Sequence, residues 1–361
     1  MTKLHELASS GQAVWYDYIR RDMLANGDLA ALVASGIRGV TSNPSIFEQA
    51  IAGTDLYDEQ IRDLGDIPAA EAFEILAIDD IRSAADVLRP VYTTSDGADG
   101  YVSLEVSPTL AHDTSATIAD AMRLWGIVDR PNLMIKVPAT PAGVAAISEL
   151  TAAGVNVNAT LMFSLDDYEA VATAYVDGAS RASNPSRLAS VASFFVSRVD
   201  TSADAALNRI GTTRALELRG RVAIANAKVA YRRYQEIFEG SQFENLLRQG
   251  TRPQRVLWAS TGTKNPDYSD VMYVEELVGP LTVNTAPPAT ITAFEDHGTV
   301  RPGSLLEGMD EAHTLIHSLP EVGVDFDGIT AQLQTDGVAA FAKAYQNLLD
   351  AITHKQAGFA G

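Results

Sequence analysis

Apolar and polar residues alternate along the chain in short runs that predict β-strands, and residues at helical spacing fill most of the stretches between them. The alternation is clearest at 101–108, YVSLEVSP, and at 155–163, VNVNATLMF. The repeated order of strand and helix predicts a parallel sheet. Eight strands are predicted, over residues 13–19, 37–42, 101–108, 132–137, 155–163, 188–196, 255–260 and 281–285.

A parallel sheet of this size is either open and doubly wound or closed into a (β/α)8 barrel. The strand count favours the barrel, as do the polar residues on strand faces that an open sheet would cover with helices. No GxGxxG or GxxxxGK[ST] motif follows a strand, which removes the main support for a dinucleotide or P-loop site. With no linker or repeat in the sequence, residues 1–361 are predicted to form one (β/α)8 TIM barrel domain with additional helices at both ends.

Composition narrows the possible functions. The chain has no cysteine, which excludes disulfides, thiolate catalysis and cysteine-ligated metals. Among the histidines only His313 and His317 have i, i+4 spacing, and without an HExxH pattern we interpret them as an ordinary helix face. We therefore expect no metal centre.

The net charge of −19 argues against nucleic acid and anionic membranes as partners. No apolar run reaches the roughly 18 residues of a transmembrane helix, and the first residues lack the apolar core of a signal peptide. A cytoplasmic location is predicted. The sequence leaves open whether the chain is a monomer or a homodimer.

Lys136 is the most unusual residue of the predicted sheet, because it lies inside the apolar strand NLMIKV. A fully buried lysine without a partner is rare, and desolvation disfavours its ammonium form. The amine must pair with a carboxylate, reach a cavity, or lose its proton, unless its head reaches solvent at the strand end. A neutral amine in an apolar pocket is a nucleophile toward carbonyl compounds.

Polar residues at the ends of other strands give this amine a chemical context, since barrel enzymes collect their catalytic groups there. Glu105, with a water held by Thr160, is suited to moving protons around a carbinolamine, and Asp17 to accepting a proton from a β-hydroxyl. Asn43, Asn158 and Ser193 are predicted to form neutral hydrogen bonds with sugar hydroxyls. Arg198 and Lys264 are predicted to supply positive charges for a phosphate.

Each of these residues also has a simpler interpretation. Asp17 can be a solvated residue at a strand end, and Asn43 before Pro44 is a common turn pair. Glu105 can be only the structural ion-pair partner of Lys136, and Arg198 can form a surface pair with Asp200. Their joint occurrence on separate barrel strands favours the catalytic interpretation.

Five motifs stand out along the chain: GVTSNPSIF at 39–47, SLEVSP at 103–108, MIKVPAT at 134–140, NVNATLMFS at 156–164 and SFFVSRVD at 193–200. Together they resemble the transaldolase family of Schiff-base enzymes. The resemblance extends over roughly residues 10–290, and the length is similar to that of a longer bacterial subfamily. It implies transfer of dihydroxyacetone from sedoheptulose 7-phosphate to glyceraldehyde 3-phosphate in the non-oxidative pentose phosphate pathway, without cofactor or metal.

The resemblance also implies a role for each residue. Lys136 matches the Schiff-base lysine, Asp17 the base for carbon–carbon cleavage, and Glu105 with Thr160 the pair that handles the catalytic water. The remaining matches are to substrate contacts: Asn43 and Asn158 for dihydroxyacetone, Ser193 for a hydroxyl and Arg198 for phosphate. We also assign Thr41 and Ser42, from the same motif as Asn43, to the substrate site.

The chain departs from the family pattern after the seventh strand. Shorter members carry a second phosphate-binding arginine there, where this chain has ASTGTK at 259–264. We expect Ser260 and Lys264 to contact the phosphate instead. A lyase that releases free dihydroxyacetone and a barrel that only binds sugar phosphates are the alternative functions, and the combined lysine, glutamate and aspartate argue against the second.

Overall fold

Eight parallel strands form a closed barrel in the computed structural model, which describes residues 2–359. Each strand pairs with the next in the chain, and the last pairs with the first. The predicted (β/α)8 TIM barrel is therefore confirmed. The strands are β1 (Gln12–Tyr16), β2 (Ile37–Val40), β3 (Tyr101–Glu105), β4 (Leu133–Pro138), β5 (Val157–Met162), β6 (Ser190–Phe195), β7 (Arg255–Ala259) and β8 (Thr282–Ala286).

Helices follow the strands and also cover both ends of the chain. The helices in the described part are α1 (Lys3–Ser9), α2 (Arg21–Ala25), α3 (Asp28–Ser35), α4 (Pro44–Ala52), α5 (Asp58–Leu64), α6 (Ala69–Thr94), α7 (Thr114–Val128), α8 (Pro141–Ala152), α9 (Leu165–Arg181), α10 (Ser197–Ile210), α11 (Thr213–Leu216), α12 (Val222–Phe238), α13 (Glu244–Arg248), α14 (Met272–Glu276), α15 (Pro288–His297), α16 (Met309–Val322) and α17 (Phe326–Phe359). Short 3-10 turns occupy Pro108–Leu110, Pro185–Arg187 and Ser304–Leu306. None of the helices between residues 2 and 359 has the length and apolar character needed to cross a membrane.

Several strands end earlier than their patterns indicate, and this places polar residues at the carboxyl end of the barrel. β1 stops at Tyr16, so Asp17 lies one residue beyond it. β2 stops at Val40, and the segment 41–43 forms a loop before α4. The carboxyl ends of parallel strands open at one mouth of a barrel, where catalytic groups collect.

A β-bulge interrupts the alternation that the sequence predicts for β5. Ala159 pairs with Ala192 and Met162 with Phe194, so the register shifts between them. Leu161 at this point has φ +59°, a left-handed backbone that a leucine rarely adopts. Bulges commonly re-aim side chains beside active sites.

The C-terminal helix α17 lies across the mouth of the barrel. Nε2 of Gln334 donates to the carbonyl oxygens of Ala139 and Leu161, at 3.1 and 3.4 Å, beyond β4 and within β5. Farther along, α17 packs against α4 and α6. This packing brings residues of α17 over the strand ends.

Candidate active site

Lys136 is the buried charged residue around which the site is arranged. Strand register places it opposite Glu105 on β3 and Asn158 on β5. The residue is only 5% exposed, so its head does not reach bulk solvent at the strand end. Its Nζ donates to the carbonyl oxygen of Ser42 at 3.2 Å and lies 3.7 Å from Oε2 of Glu105.

A cavity of about 180 Å³ opens above this lysine, and we call it the lysine cavity. Nine of the residues predicted for the site line it: Asp17, Thr41, Asn43, Lys136, Thr160, Ser193, Arg198, Ser260 and Lys264. Its other lining residues are Ser45, Phe195, Ala259, Gly262, Thr285, Pro287 and Phe341. Residues distant in the sequence therefore meet in one small space, as the barrel requires.

Three predicted residues, Ser42, Glu105 and Asn158, lie outside that lining. The Ser42 hydroxyl donates to the carbonyl oxygen of Ser103 at 2.7 Å, and its own carbonyl holds Lys136. Ser42 and Glu105 line a neighbouring, largely apolar cavity of about 420 Å³. Ser42 thus contacts the lysine directly, whereas a direct contact with substrate remains a prediction.

The carboxylate of Glu105 is almost fully enclosed, with 5% of the side chain exposed. Its Oε2 has no hydrogen-bond partner among residues 2–359. Burial raises the pKa of Glu105 to about 7, against the opposing effect of the positive charge on Lys136. A carboxyl group with this pKa can both give and take a proton near neutral pH.

Asp17 is held by a chain of hydroxyl groups. Oγ1 of Thr41 donates to Oδ1 of Asp17 at 2.6 Å and is itself 2.6 Å from Oγ1 of Thr285. Burial raises the pKa of the Asp17 carboxyl, and Lys136, the Thr41 hydroxyl and Arg198 act in the opposite direction. Asp17 is therefore not the freely solvated strand-end residue of the simpler interpretation.

Asn158 and Ser193 form a hydrogen-bonded layer inside the barrel. Oδ1 of Asn158 accepts from the Ser193 hydroxyl at 2.7 Å, and its Nδ2 donates to the Ser103 hydroxyl at 3.0 Å. Ser193 borders the lysine cavity, whereas Asn158 supports it from below. The buried hydroxyl of Thr160 has no partner among the described residues, so it is available to a water or a substrate oxygen.

Asn43 combines the turn that its sequence suggests with a place in the cavity. Its Oδ1 accepts from the backbone N–H of Ile46 at 3.0 Å and so caps the first turn of α4, with Pro44 at the first helical position. Capping uses the oxygen and leaves the amide nitrogen for other contacts. The structural and the substrate-binding interpretations are therefore compatible.

Arg198 lies in the first turn of α10, which starts at Ser197 and is ended by Gly211 with φ +70°. Asp200 does not pair with Arg198, since its two oxygens accept from the Ala223 N–H and the Tyr273 hydroxyl, both at 2.8 Å.

The guanidinium group of Arg198 therefore lies at the lysine cavity. Burial lowers its pKa, and the negative charge of Asp17 acts in the opposite direction. An arginine keeps its charge even so. Ser260 follows β7 with φ +57°, and its hydroxyl lies 2.9 Å from that of Ser197. Lys264 is exposed at the rim of the same cavity. A chain that is strongly acidic overall thus presents two cations at this one opening.

Of the seven lining residues that were not predicted, Thr285 and Phe341 lie next to predicted site residues, Thr41 and Lys136 respectively. Thr285 is the last residue of the predicted eighth strand, so the polar strand-end signal used for the others was present there too. Phe341 gave no local signal, because it reaches the cavity only through the packing of α17. No group of three metal-ligating acidic or histidine side chains occurs in residues 2–359.

A closed barrel with an amine and two enclosed carboxyl groups at its mouth defines a (β/α)8 enzyme suited to carbonyl chemistry. The sequence model of one family, Transaldolase/Fructose-6-phosphate aldolase, matches residues 14–352. The chain belongs to this family. The family and the enzyme class expected from the motifs are thereby confirmed, and the match extends beyond the 10–290 region of the motifs.

Close relatives cover nearly the whole chain. A transaldolase of Frankia alni is 49% identical over 98% of this chain and 97% of its own. A transaldolase of Thermobifida fusca is 48% identical over 98% of both chains. Transaldolase 1 of Streptomyces coelicolor is 47% identical over 97% of this chain and 94% of its own.

Proposed function

We propose that this chain is a transaldolase that moves a dihydroxyacetone unit from sedoheptulose 7-phosphate to glyceraldehyde 3-phosphate through a Schiff base on Lys136. The products are erythrose 4-phosphate and fructose 6-phosphate, within the non-oxidative pentose phosphate pathway. One observation carries the proposal: the buried Nζ of Lys136 lies 3.7 Å from Glu105 and shares a cavity with Asp17. Family membership and the names of the relatives support it.

The first step is attack of the Lys136 amine on C2 of the ketose, which gives a carbinolamine. The carbinolamine oxygen takes a proton and leaves as water, and an iminium ion remains. Glu105 is suited to this transfer because its pKa of about 7 lets it give and regain one proton in each cycle. The unpartnered hydroxyl of Thr160 is available to hold the water through which the proton passes.

The second step is cleavage of the C3–C4 bond. Asp17 accepts the proton of the C4 hydroxyl and the aldose leaves as an aldehyde. The electron pair of the broken C3–C4 bond forms the C2=C3 double bond, which neutralises the iminium and gives an enamine. With glyceraldehyde 3-phosphate the step reverses: C3 attacks the aldehyde carbon and Asp17 returns its proton to the new hydroxyl. Hydrolysis of the resulting iminium releases fructose 6-phosphate and the free amine, so atoms and charges balance.

We assign the remaining residues to binding. Arg198 and Lys264, with the Ser260 hydroxyl, are proposed to hold the phosphate, because cations and hydroxyl donors suit its oxygens. The free amide of Asn43 and the Ser193 hydroxyl are proposed to contact the dihydroxyacetone unit. Three residues are proposed to act mainly through these groups: Asn158 through Ser193, Thr41 through Asp17 and Ser42 through Lys136.

We further propose that residues 1–361 form a single catalytic domain located in the cytoplasm, as a monomer or homodimer. The packing of α17 on α4 and α6 supports one domain, because it joins the chain's last helix to its first half. The absence of cysteine is consistent with a reducing compartment.

A lyase is the second candidate, because the family description also includes fructose-6-phosphate aldolase. Transferase and lyase share every step up to the enamine. They differ in whether that enamine meets an aldehyde or a proton. Fructose 6-phosphate alone should give little sustained free dihydroxyacetone from a transferase, and turnover should begin when erythrose 4-phosphate is added.

The Schiff base itself can be trapped. Borohydride added with fructose 6-phosphate should fix a three-carbon adduct that peptide mass spectrometry maps to Lys136. Lys136→Met should abolish the adduct, whereas Lys228→Met, which replaces the other buried lysine, should retain it. No adduct on the unmodified chain, or an adduct mapped to Lys228, would refute the mechanism.

A further inference from the structure

An aromatic side chain from the C-terminal helix closes one side of the lysine cavity. Phe341 of α17 is 4% exposed and belongs to the cavity lining. Its ring centroid lies 5.8 Å from Nζ of Lys136, so the ring faces the atom that would carry the three-carbon unit. None of the roles proposed above accounts for an aromatic ring at this wall of the cavity.

The helix that carries Phe341 is fixed to the barrel close to the chemistry. Gln334, two turns earlier, is hydrogen-bonded to the carbonyl oxygens of Ala139 and Leu161. Gly337, one turn earlier, lets the helix approach closely, because a β-carbon there would lie 3.0 Å from Cδ2 of Leu161 and 3.7 Å from Nη1 of Arg198. The position of the ring is thus set by the close approach of α17 to the bulge of β5 and to Arg198, the proposed phosphate-binding arginine.

We infer that Phe341 is a positioning residue that shields the bound enamine and thereby favours transfer over release. This inference rests on the proposed transaldolase function and extends it to the choice between its two outcomes. In the unproductive route, C3 of the enamine takes a proton, and hydrolysis of the iminium then yields free dihydroxyacetone and the amine. An apolar ring against the three-carbon unit keeps water, the proton carrier, away from C3 until an aldehyde enters.

The ring also suits the cationic stages of the cycle. The face of an aromatic ring attracts a cation within about 6 Å of its centroid. The iminium forms at the nitrogen that lies 5.8 Å from the Phe341 centroid. A side chain that excludes water and also tolerates this positive charge fits the needs of a transferase better than an aliphatic or a polar one.

The test is the partition ratio, defined as the rate of free dihydroxyacetone release from fructose 6-phosphate divided by the rate of transfer to erythrose 4-phosphate. Phe341→Ala should raise this ratio about tenfold or more, while Phe341→Leu, which keeps most of the apolar volume, should raise it less. The matched control is Tyr345→Ala, one turn further along α17. Tyr345 packs edge-on against Phe73 at 5.7 Å and lies outside the lysine cavity, so its loss should leave the ratio unchanged.

Borohydride trapping separates failure of this inference from failure of the proposed function. If the unmodified chain forms the Lys136 adduct and transfers the unit to erythrose 4-phosphate, but the ratio of Phe341→Ala equals that of the unmodified chain, the shielding role is wrong and the proposed function stands. An equal rise in Tyr345→Ala would also overturn it, since helix packing and not the ring would then be responsible. Should Phe341→Ala fail to fold by circular dichroism, Phe341→Leu and Phe341→Met decide the question on the same ratio.

Discussion

Glu105 and Lys136 stand opposite each other on adjacent strands, yet 3.7 Å separates Oε2 from Nζ. This distance exceeds that of a strong charge-assisted hydrogen bond, and Oε2 has no other partner among residues 2–359. The interactions of the buried carboxylate therefore do not make up for its lost solvation. Burial raises its pKa to about 7 for this reason. An arrangement built for stability would have brought the two groups together.

The pH dependence of folding stability should reveal the free-energy penalty of ionising the buried Glu105. The pKa of Glu105 rises from 4.5 to about 7 on folding, so its ionisation opposes folding. The penalty is absent below pH 4.5, grows as the pH rises, and is complete above about pH 7. Glu105→Gln should therefore gain stability relative to the unmodified chain over this window, by about 3 kcal/mol in the free energy of unfolding.

Urea unfolding at pH 4.5 and pH 8 measures this difference. Glu217→Gln, at an exposed glutamate after α11, is the control and should show no such pH-dependent gain. A stability difference between Glu105→Gln and the unmodified chain that is the same at both pH values would contradict the assigned environment.

The hydrogen bond from Thr41 should set the pH range in which Asp17 acts as a base. The Thr41 hydroxyl lowers the pKa of Asp17 against the larger effect of burial. Thr41→Val removes this donor with little change in shape, so the pKa of Asp17 should rise further. Because Asp17 must be ionised to accept the C4 proton, the acid limb of kcat/KM should move to higher pH.

The measurement is the pH profile of transfer from fructose 6-phosphate to erythrose 4-phosphate. Thr41→Ser keeps a hydroxyl donor and should retain the original profile. An acid limb that stays in place in Thr41→Val would mean that Asp17 is not the group that titrates.

Arg198 should discriminate between phosphorylated and unphosphorylated acceptors. Arg198→Gln removes a charged donor from the lysine cavity, and KM for glyceraldehyde 3-phosphate should rise about 10- to 100-fold. KM for glyceraldehyde should change little. Lys264→Gln should have a smaller effect, because Lys264 is exposed and solvent screens its charge.

Arg209→Gln, at an exposed arginine in the last turn of the same helix, serves as the control for net charge. If Arg209→Gln weakens binding as much as Arg198→Gln, a general electrostatic effect explains the result and a phosphate site at Arg198 does not.

The sequence predicted those parts of the site that depend on one strand at a time. The position of Lys136 in an apolar strand and of Glu105 on a polar face followed from local alternation, and barrel closure then brought them together. The bulge at Leu161 was missed because burial on both faces of β5 hides a shift in register. Phe341 was missed because its contact with the site depends on where α17 lies across the mouth, which no pattern within that helix specifies.

Two substitutions of Asn43 can distinguish its structural role as a helix cap from its proposed role in substrate binding. Its Oδ1 caps α4 by accepting from Ile46, and its amide nitrogen is proposed to bind the substrate. Asn43→Asp keeps a capping oxygen, and a negative charge is favourable at a helix N-terminus, so the free energy of unfolding should stay within about 0.5 kcal/mol. Transfer should nevertheless fall steeply, because the amide donor is replaced by an acceptor.

Asn43→Ala removes both functions and should also lose about 1 kcal/mol of stability. Thermal unfolding and the transfer assay, run on both variants, distinguish the two roles. Full activity in Asn43→Asp would show that Asn43 acts only as the cap of α4. If the Asn43 amide binds the dihydroxyacetone unit, both variants should lose activity and only Asn43→Ala should lose stability.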